Sequence, residues 1–235
     1  MIRVAIIGAG IGAEHLEGYR ALPGRFEVAA MCDLDLARAQ AACGDATPCT
    51  DDMAALLADP DIDLIDICLP PHLHLEAALA ALEAGKHVIC EKPLVRSLDE
   101  ADRLIAAAEL AGRKVFPVFQ YRYGPAFARL RALIAAGLTG KPFAASLETH
   151  WSRDAAYYAV PWRGTWAGES GGAVLGHAIH AHDLLAHFMG PVAKLHAMTA
   201  TRVNEIETED CAALAIRHDN GALSTSSITL GAAED

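Results

Sequence analysis

In the first half of the chain, apolar residues fall in short unbroken runs separated by stretches where apolar and polar positions recur every three or four residues. Ile2 to Ile7, Glu27 to Cys32, Leu64 to Cys68, His87 to Cys90 and Val115 to Phe119 have the character of strands covered on both faces. Between them, Asp51 and Asp52 can cap a short helix, and His72 to Ala84 reads as an alanine-rich helix closed by Gly85. Ser97-Leu98-Asp99-Glu100 has the S-x-x-E spacing of a capping box and opens a helix to Leu110. With Val115 to Phe119 as the last strand of this half, the alternation predicts a parallel, doubly wound sheet with right-handed crossovers, an α/β arrangement.

The pattern then changes. A helix from Pro125 to Ala136 precedes longer runs at Phe143 to His150, Lys194 to Arg202, Cys211 to Arg217 and Ala222 to Thr229. The last two are joined through Asp219-Asn220-Gly221, and Asn-Gly between strand-like runs signals a hairpin. A boundary near residue 120 therefore divides the chain into residues 1–120 and 121–235, the second an α+β domain with a mainly antiparallel open sheet.

Composition narrows the possibilities. The 235 residues are 53% apolar, enough for a substantial core, and the net charge of −11 without a basic cluster argues against nucleic acid as a partner. Apolar stretches stop well short of the ~18 residues that span a bilayer, so no membrane partner is expected. Ala5 to Ala13 holds three glycines and lacks a following cleavage-like site, so it reads as strand and turn rather than a signal core. Of the six cysteines, Cys32, Cys68, Cys90 and Cys211 fall in or at the ends of strand-like runs and none forms a C-x-x-C pair, which suggests buried thiols in a reducing, cytoplasmic setting.

Two patterns carry chemistry. Gly8-Ala9-Gly10-Ile11-Gly12-Ala13 follows the first strand directly and reads as G-x-G-x-x-A opening a helix. Gly8 permits the tight turn, Gly10 lets the backbone approach a pyrophosphate, and the small Ala13 allows close packing of helix on strand. Asp33 ends the second strand about 20 residues on, where a carboxylate accepts hydrogen bonds from an adenosine ribose; alternatively it caps a helix from Leu34. A carboxylate there repels a 2′-phosphate and favours NAD, while Arg38 keeps NADP open as the lesser choice. The second pattern is Glu91-Lys92-Pro93 at the carboxyl end of a buried strand, the edge where open parallel sheets bind ligands.

The order Gly8-Ala9-Gly10, Asp33, Cys68-Leu69-Pro70-Pro71-His72-Leu73-His74, Ala84-Gly85-Lys86-His87-Val88 and Glu91-Lys92-Pro93 resembles the glucose-fructose oxidoreductase and inositol dehydrogenase (Gfo/Idh/MocA) family. The resemblance implies an N-terminal Rossmann domain, a C-terminal mixed sheet, and NAD(P)-dependent redox chemistry on sugars and polyols. It places Gly8, Gly10, Ile11, Gly12, Asp33, Leu69, Pro70, His74, Glu91, Lys92 and Gln120 at the cofactor, with Lys92 beside the nicotinamide and the reacting hydroxyl. An ammonium there would stabilise negative charge developing on the substrate oxygen.

Gly171 to His187 holds four histidines. On a helix at about 100° per residue, His177, His180, Asp183, Leu184 and His187 share an arc of roughly 120° while His182 points away. The spacing lacks H-E-x-x-H, so no metal is expected. By resemblance His180 is the general base and Asp183 can orient it, but the Asp usual four residues before that His is Gly176 here, with His177 adjacent. Arg122 and Tyr157 are substrate candidates. Trp151, Arg153, Tyr157, Tyr158, Trp162, Arg163 and Trp166 could stack on a sugar, touch cofactor phosphates, or form a packed loop or oligomer contact; Trp162 and Arg163 are the cofactor candidates by resemblance.

Family members are longer, and a sheet stopping near Asp235 would leave an edge to be covered by a partner or by further residues. The expectation is a homo-oligomeric, dimeric or tetrameric, NAD(H)-dependent oxidoreductase acting on a secondary alcohol or ketone of a sugar, inositol or polyol. The alternative, favoured by Gly176 and the short second domain, is a regulatory or sensor protein that binds the dinucleotide without turnover.

Overall fold

The computed structural model describes residues 1–234 and divides into two compact units, Met1–Val118 and Phe119–Asp235; Asp235 itself lies outside the described residues. The first unit carries β1 (Ile2–Ile7), α1 (Ala9–Arg20), β2 (Phe26–Cys32), α2 (Leu36–Cys43), β3 (Cys49–Thr50), α3 (Met53–Ala58), β4 (Leu64–Ile67), α4 (His74–Glu83), β5 (His87–Cys90), α5 (Leu98–Ala111) and β6 (Val115–Pro117). Its strands form one six-stranded sheet in the order β3-β2-β1-β4-β5-β6, parallel throughout. The order reverses between β1 and β4, which makes their carboxyl ends the switch point of a Rossmann sheet.

Alternation along these strands builds two cores. Ala5, Ile7, Ile65, Ile67, Val88 and Cys90 face Leu75, Ala78, Ala81 and Leu82 of α4 on one side, while Val4, Ile6, Met31, Leu64 and Cys68 face Leu16 of α1 and Ala39 of α2 on the other. Both faces are covered, which is why the strands read as continuous apolar runs. At α5 the Ser97 hydroxyl accepts from Glu100 N–H at 3.2 Å as the capping box requires, but the Glu100 carboxylate reaches back to Arg96 N–H at 2.8 Å, one residue beyond the cap.

One buried cation secures the entry to the sheet. Lys86 is only 6% exposed, and its Nζ donates to the carbonyls of Asp59 at 2.5 Å and Ile62 at 2.8 Å, latching the α3–β4 loop to β5. Lys86→Met is expected to keep the stem's packing while leaving those carbonyls without their donor, lowering stability by about 2 kcal/mol in a denaturant titration.

The second unit contains α6 (Pro125–Ala135), β7 (Ala144–His150), α7 (Ala155–Tyr158), α8 (Trp166–Glu169), α9 (Ile179–Met189), β8 (Val192–Ala200), β9 (Cys211–His218) and β10 (Leu223–Thr229). The sheet order is β7-β10-β9-β8; β9 pairs antiparallel with β8 and β10, while β7 pairs parallel with β10. Leu185 and Met189 of α9 pack on Ile216 and Ala222 at one face, and every residue of edge strand β8 is exposed. Gly221, at φ +85°, turns the β9–β10 hairpin, where His218 N–H donates to the Ala222 carbonyl at 2.9 Å. Among the described residues, no helix is long and apolar enough to cross a membrane.

Candidate functional site

At the carboxyl edge of the first sheet, Gly8 takes φ +104°, and a β-carbon there would lie 2.5 Å from the Cys68 carbonyl oxygen. The turn thus presses against the end of β4, an approach only glycine allows. A β-carbon on Gly10 would meet nothing within 4 Å, so the first turn of α1 faces open space. Helix and sheet approach closely at Gly12, whose β-carbon would be 2.8 Å from Ile6 Cγ2, one residue before the Ala13 expected in that role. Ile11 is 48% exposed beside this opening.

Asp33 is buried at the end of β2. Its carboxylate accepts from Ala9 N–H at 2.7 Å, Asp35 N–H at 2.9 Å and the Arg38 guanidinium at 2.6 and 2.8 Å. Burial opposes its ionisation, yet the Arg38 bonds and the two backbone donors hold the carboxyl below the usual range. The cap of α2 is Asp35, which accepts from Arg38 N–H at 3.1 Å, so the capping alternative for Asp33 gives way to Asp35. A ribose reaching Asp33 would displace the Arg38 side chain, which is 56% exposed and has room to swing.

Glu91 and Lys92 follow β5, and the Lys92–Pro93 peptide is cis. Glu91 is buried, and its Oε2 accepts from Lys92 N–H at 3.0 Å. Burial opposes its ionisation, but hydrogen bonds from His15 and the Lys92 backbone, with the Lys92 charge, hold it below the usual range. Leu69 and Pro70 lie half-buried just past β4. His74 does not face the opening: it is 1% exposed, with ring nitrogens 2.7 Å from the Leu69 and Pro93 carbonyls. The expected cofactor contact is thereby replaced by a brace between two site loops.

These features meet the requirements of a dinucleotide. A helix start facing open space suits a pyrophosphate, a buried ionised carboxylate suits a ribose, and a half-buried lysine stands at the same sheet edge. Sequence reasoning overlooked His15 and Asp66, which lie beneath this edge. Asp66, fully buried in the apolar run of β4, was the available signal, because a buried charge must be paired.

In the second unit, Gly171 to His187 is not one helix. Ala178 N–H donates to the Ala173 carbonyl at 2.8 Å, a π-turn spanning Ala173–His177, and α9 starts only at Ile179. The turn is anchored by Glu209, whose carboxylate accepts from Gly172 N–H at 3.0 Å and Val174 N–H at 3.1 Å. A β-carbon on Gly172 would fall 1.9 Å from the Glu209 carbonyl oxygen, which explains the glycine.

The histidine arc consequently breaks up. His180 is buried, stacked on Tyr121 at 4.7 Å between ring centroids and edge-on to Phe119 at 6.1 Å. His177 is buried, with Nε2 3.1 Å from the Tyr157 hydroxyl. His182 turns to Ser226 at 3.0 Å, while His187 is exposed. Asp183 binds Arg122, which donates through Nε at 2.6 Å and through a second guanidinium nitrogen, so the expected pairing with His180 is corrected to an ion pair with Arg122. Gln120 is exposed on the same short turn as Tyr121 and Arg122. Tyr157 lies between two guanidinium groups, Arg163 at 3.8 Å and Arg153 at 5.2 Å from its ring, and Arg163 also covers Trp162 at 5.0 Å. Among the described residues, the grouping of donors spaced for a metal is His15, Asp66 and Cys68 rather than these histidines.

Comparison with known proteins identifies the family. An uncharacterized oxidoreductase of Bacillus subtilis is 32% identical over 94% of this chain and 65% of its own length. Levoglucosan dehydrogenase of Pseudarthrobacter phenanthrenivorans is 32% identical over 87% of this chain and 55% of its own. The chain thus spans roughly half to two thirds of these relatives. The structure of the WlbA dehydrogenase from Bordetella pertussis in complex with NADH and UDP-GlcNAcA superposes with a TM-score of 0.92 at 30% identity, covering 99% of this chain and 72% of that one. Residues 2–119 match the oxidoreductase family with an NAD-binding Rossmann fold and residues 127–235 match the GFO/IDH/MocA C-terminal domain, so the chain belongs to the Gfo/Idh/MocA family of oxidoreductases.

Proposed function

We propose that this chain catalyses NAD-dependent oxidation of a secondary alcohol, or reduction of the ketone, on a sugar, inositol or related polyol. The observation that carries the reading is the placing of the glycine turn, Asp33 and Lys92 at the carboxyl edge of one parallel sheet. A bound NAD would supply the acceptor for the hydride leaving the carbinol carbon. Ile11, Gly12, Leu69, Pro70 and Glu91 line its cradle, and the ionised Asp33 favours a free 2′-hydroxyl, with NADP the lesser choice because of Arg38. Lys92 stabilises the substrate oxygen as its proton leaves, and His180 takes that proton as general base. His177, joined to Tyr157, is a second acid–base candidate; Arg122, Tyr157 and Asp183 orient the substrate, and Gln120, Trp162 and Arg163 support the cofactor.

The named relatives support the substrate class, since levoglucosan dehydrogenase and the WlbA complex with UDP-GlcNAcA both concern carbohydrate. Free thiols support a cytoplasmic setting, and the exposed β8 edge supports association as a dimer or tetramer. The test follows NADH absorbance while polyols, sugars and sugar acids are screened. Tight NADH binding without absorbance change across the panel would replace this reading by the alternative, a dinucleotide-binding regulator or sensor.

Gly176 favours that alternative, because the Asp usual at this position is absent. A β-carbon at Gly176 would meet nothing within 4 Å, so Gly176→Asp has room to fold normally. If the missing carboxylate limits turnover, Gly176→Asp is expected to raise kcat by about tenfold with little change in Tm, read in the same absorbance assay.

A further inference from the structure

Beneath the glycine turn lies a buried polar cluster with no assigned role in hydride transfer. His15, on α1, has Nδ1 2.9 Å from Asp66 Oδ2 and Nε2 3.2 Å from Glu91 Oε1. The Tyr19 hydroxyl donates to the same Asp66 oxygen at 2.8 Å, and Cys68 Sγ lies 3.5 Å from His15 Nδ1. An ionised carboxylate only accepts, so a ring held between two carboxylates donates from both nitrogens and is an imidazolium.

We propose that His15 is a positioning residue whose imidazolium ties α1, with the pyrophosphate turn at its start, to the Glu91-Lys92 turn that receives the nicotinamide half of the cofactor. The link is continuous: His15 holds one Glu91 oxygen, and the other accepts from Lys92 N–H at 3.0 Å. Each element packed around the ring supplies a group: Tyr19 from α1, Asp66 from β4 and Cys68 just past it, Glu91 and Lys92 from the end of β5. The carboxylates of Asp66 and Glu91 balance the His15 and Lys92 cations, so removing His15 leaves an uncompensated negative charge below the cofactor.

Burial alone pushes the His15 imidazole down, but its bonds to Asp66, Cys68 and Glu91 push it up to about 12. Its folded value lies above the ordinary 6.5. The stability it contributes is therefore complete below about pH 6.5 and declines as pH rises towards about 12. The His15, Asp66 and Cys68 donor atoms lie within 4.8 Å of one another, but an imidazolium has no lone pair for a metal.

This inference rests on the proposed placing of Lys92 at the nicotinamide, and its test needs no turnover. The full chain, His15→Leu and His15→Gln are titrated with NADH and with ADP-ribose, which lacks the nicotinamide. His15→Leu is expected to weaken NADH about tenfold while ADP-ribose changes less than about twofold, with His15→Gln between wild type and Leu. Equal weakening of both ligands means that His15 merely supports α1 and overturns the proposal, as does no change in either. Should the variants fail to fold, nitrogen-15 NMR of wild-type histidine decides: both His15 ring nitrogens stay protonated from about pH 6 to about pH 9, whereas titration near the ordinary midpoint overturns it. A chain that shows this NADH selectivity but turns over no polyol would sink the enzymatic reading and leave the His15 inference standing.

Discussion

Lys92→Ala is expected to abolish most of the proposed dehydrogenase activity, lowering kcat about a thousandfold, while NADH still binds within a few-fold of wild type. The reasoning separates two duties at one sheet edge. In the proposed site, binding rests on the glycine turn, Asp33 and backbone around β4, none of which the substitution touches. In the proposed reaction the ammonium acts on charge that appears only as the substrate hydroxyl loses its proton, so its loss would fall on kcat more than on KM. The Lys92 charge helps hold buried Glu91 ionised while its backbone N–H stays on Glu91 whatever the side chain, so Tm should fall modestly rather than collapse. Stopped-flow NADH absorbance and a fluorescence titration on the same preparation give both quantities; equal loss of binding and turnover would return Lys92 to a structural role.

Gly8→Ala should have the largest effect on the first unit's integrity. The residue needs φ +104° and has the Cys68 carbonyl oxygen 2.5 Å from where a β-carbon would sit, so both backbone and neighbour resist the methyl. A loss of about 3 kcal/mol in unfolding free energy is expected, with NADH affinity falling because the turn must open. Gly10→Ala provides the contrast. Its β-carbon meets no atom within 4 Å in the free protein, so Tm should hold while NADH weakens about tenfold where the pyrophosphate must approach. If Gly10→Ala binds NADH normally, the cofactor does not lie on this turn as argued.

The elements most legible in the sequence were those whose pattern is local. Ile2–Ile7 and Leu64–Ile67 read as covered strands because both their faces are covered, and Ser97 announced α5 through its own cap. The two residues of β3 carry no period and could not be delimited. The parallel pairing of β7 with β10 depends on partners distant in the chain and leaves no mark on either strand. At the site, the glycine turn and Glu91-Lys92 stand out because their spacing is local to a strand end. His15 escaped notice because its importance comes from Asp66 and Glu91, each on a different element. The histidine arc misled for a related reason: helical periodicity assumes an unbroken helix, and the Ala173–His177 turn, held by distant Glu209, resets the phase before α9.

The parallel β7–β10 pair also sets an order of events during synthesis. The β9–β10 hairpin can close locally through Asp219-Asn220-Gly221, but β7 has its only strand partner in β10, the last strand of the described chain. After emerging from the ribosome, Ala144–His150 must therefore wait, unpaired, while more than half of the second unit follows it. Its sequence suits the delay: Ser146, Glu148 and His150 alternate with Ala145, Leu147 and Thr149, so an early strand offers one polar face and little for another nascent chain to adhere to.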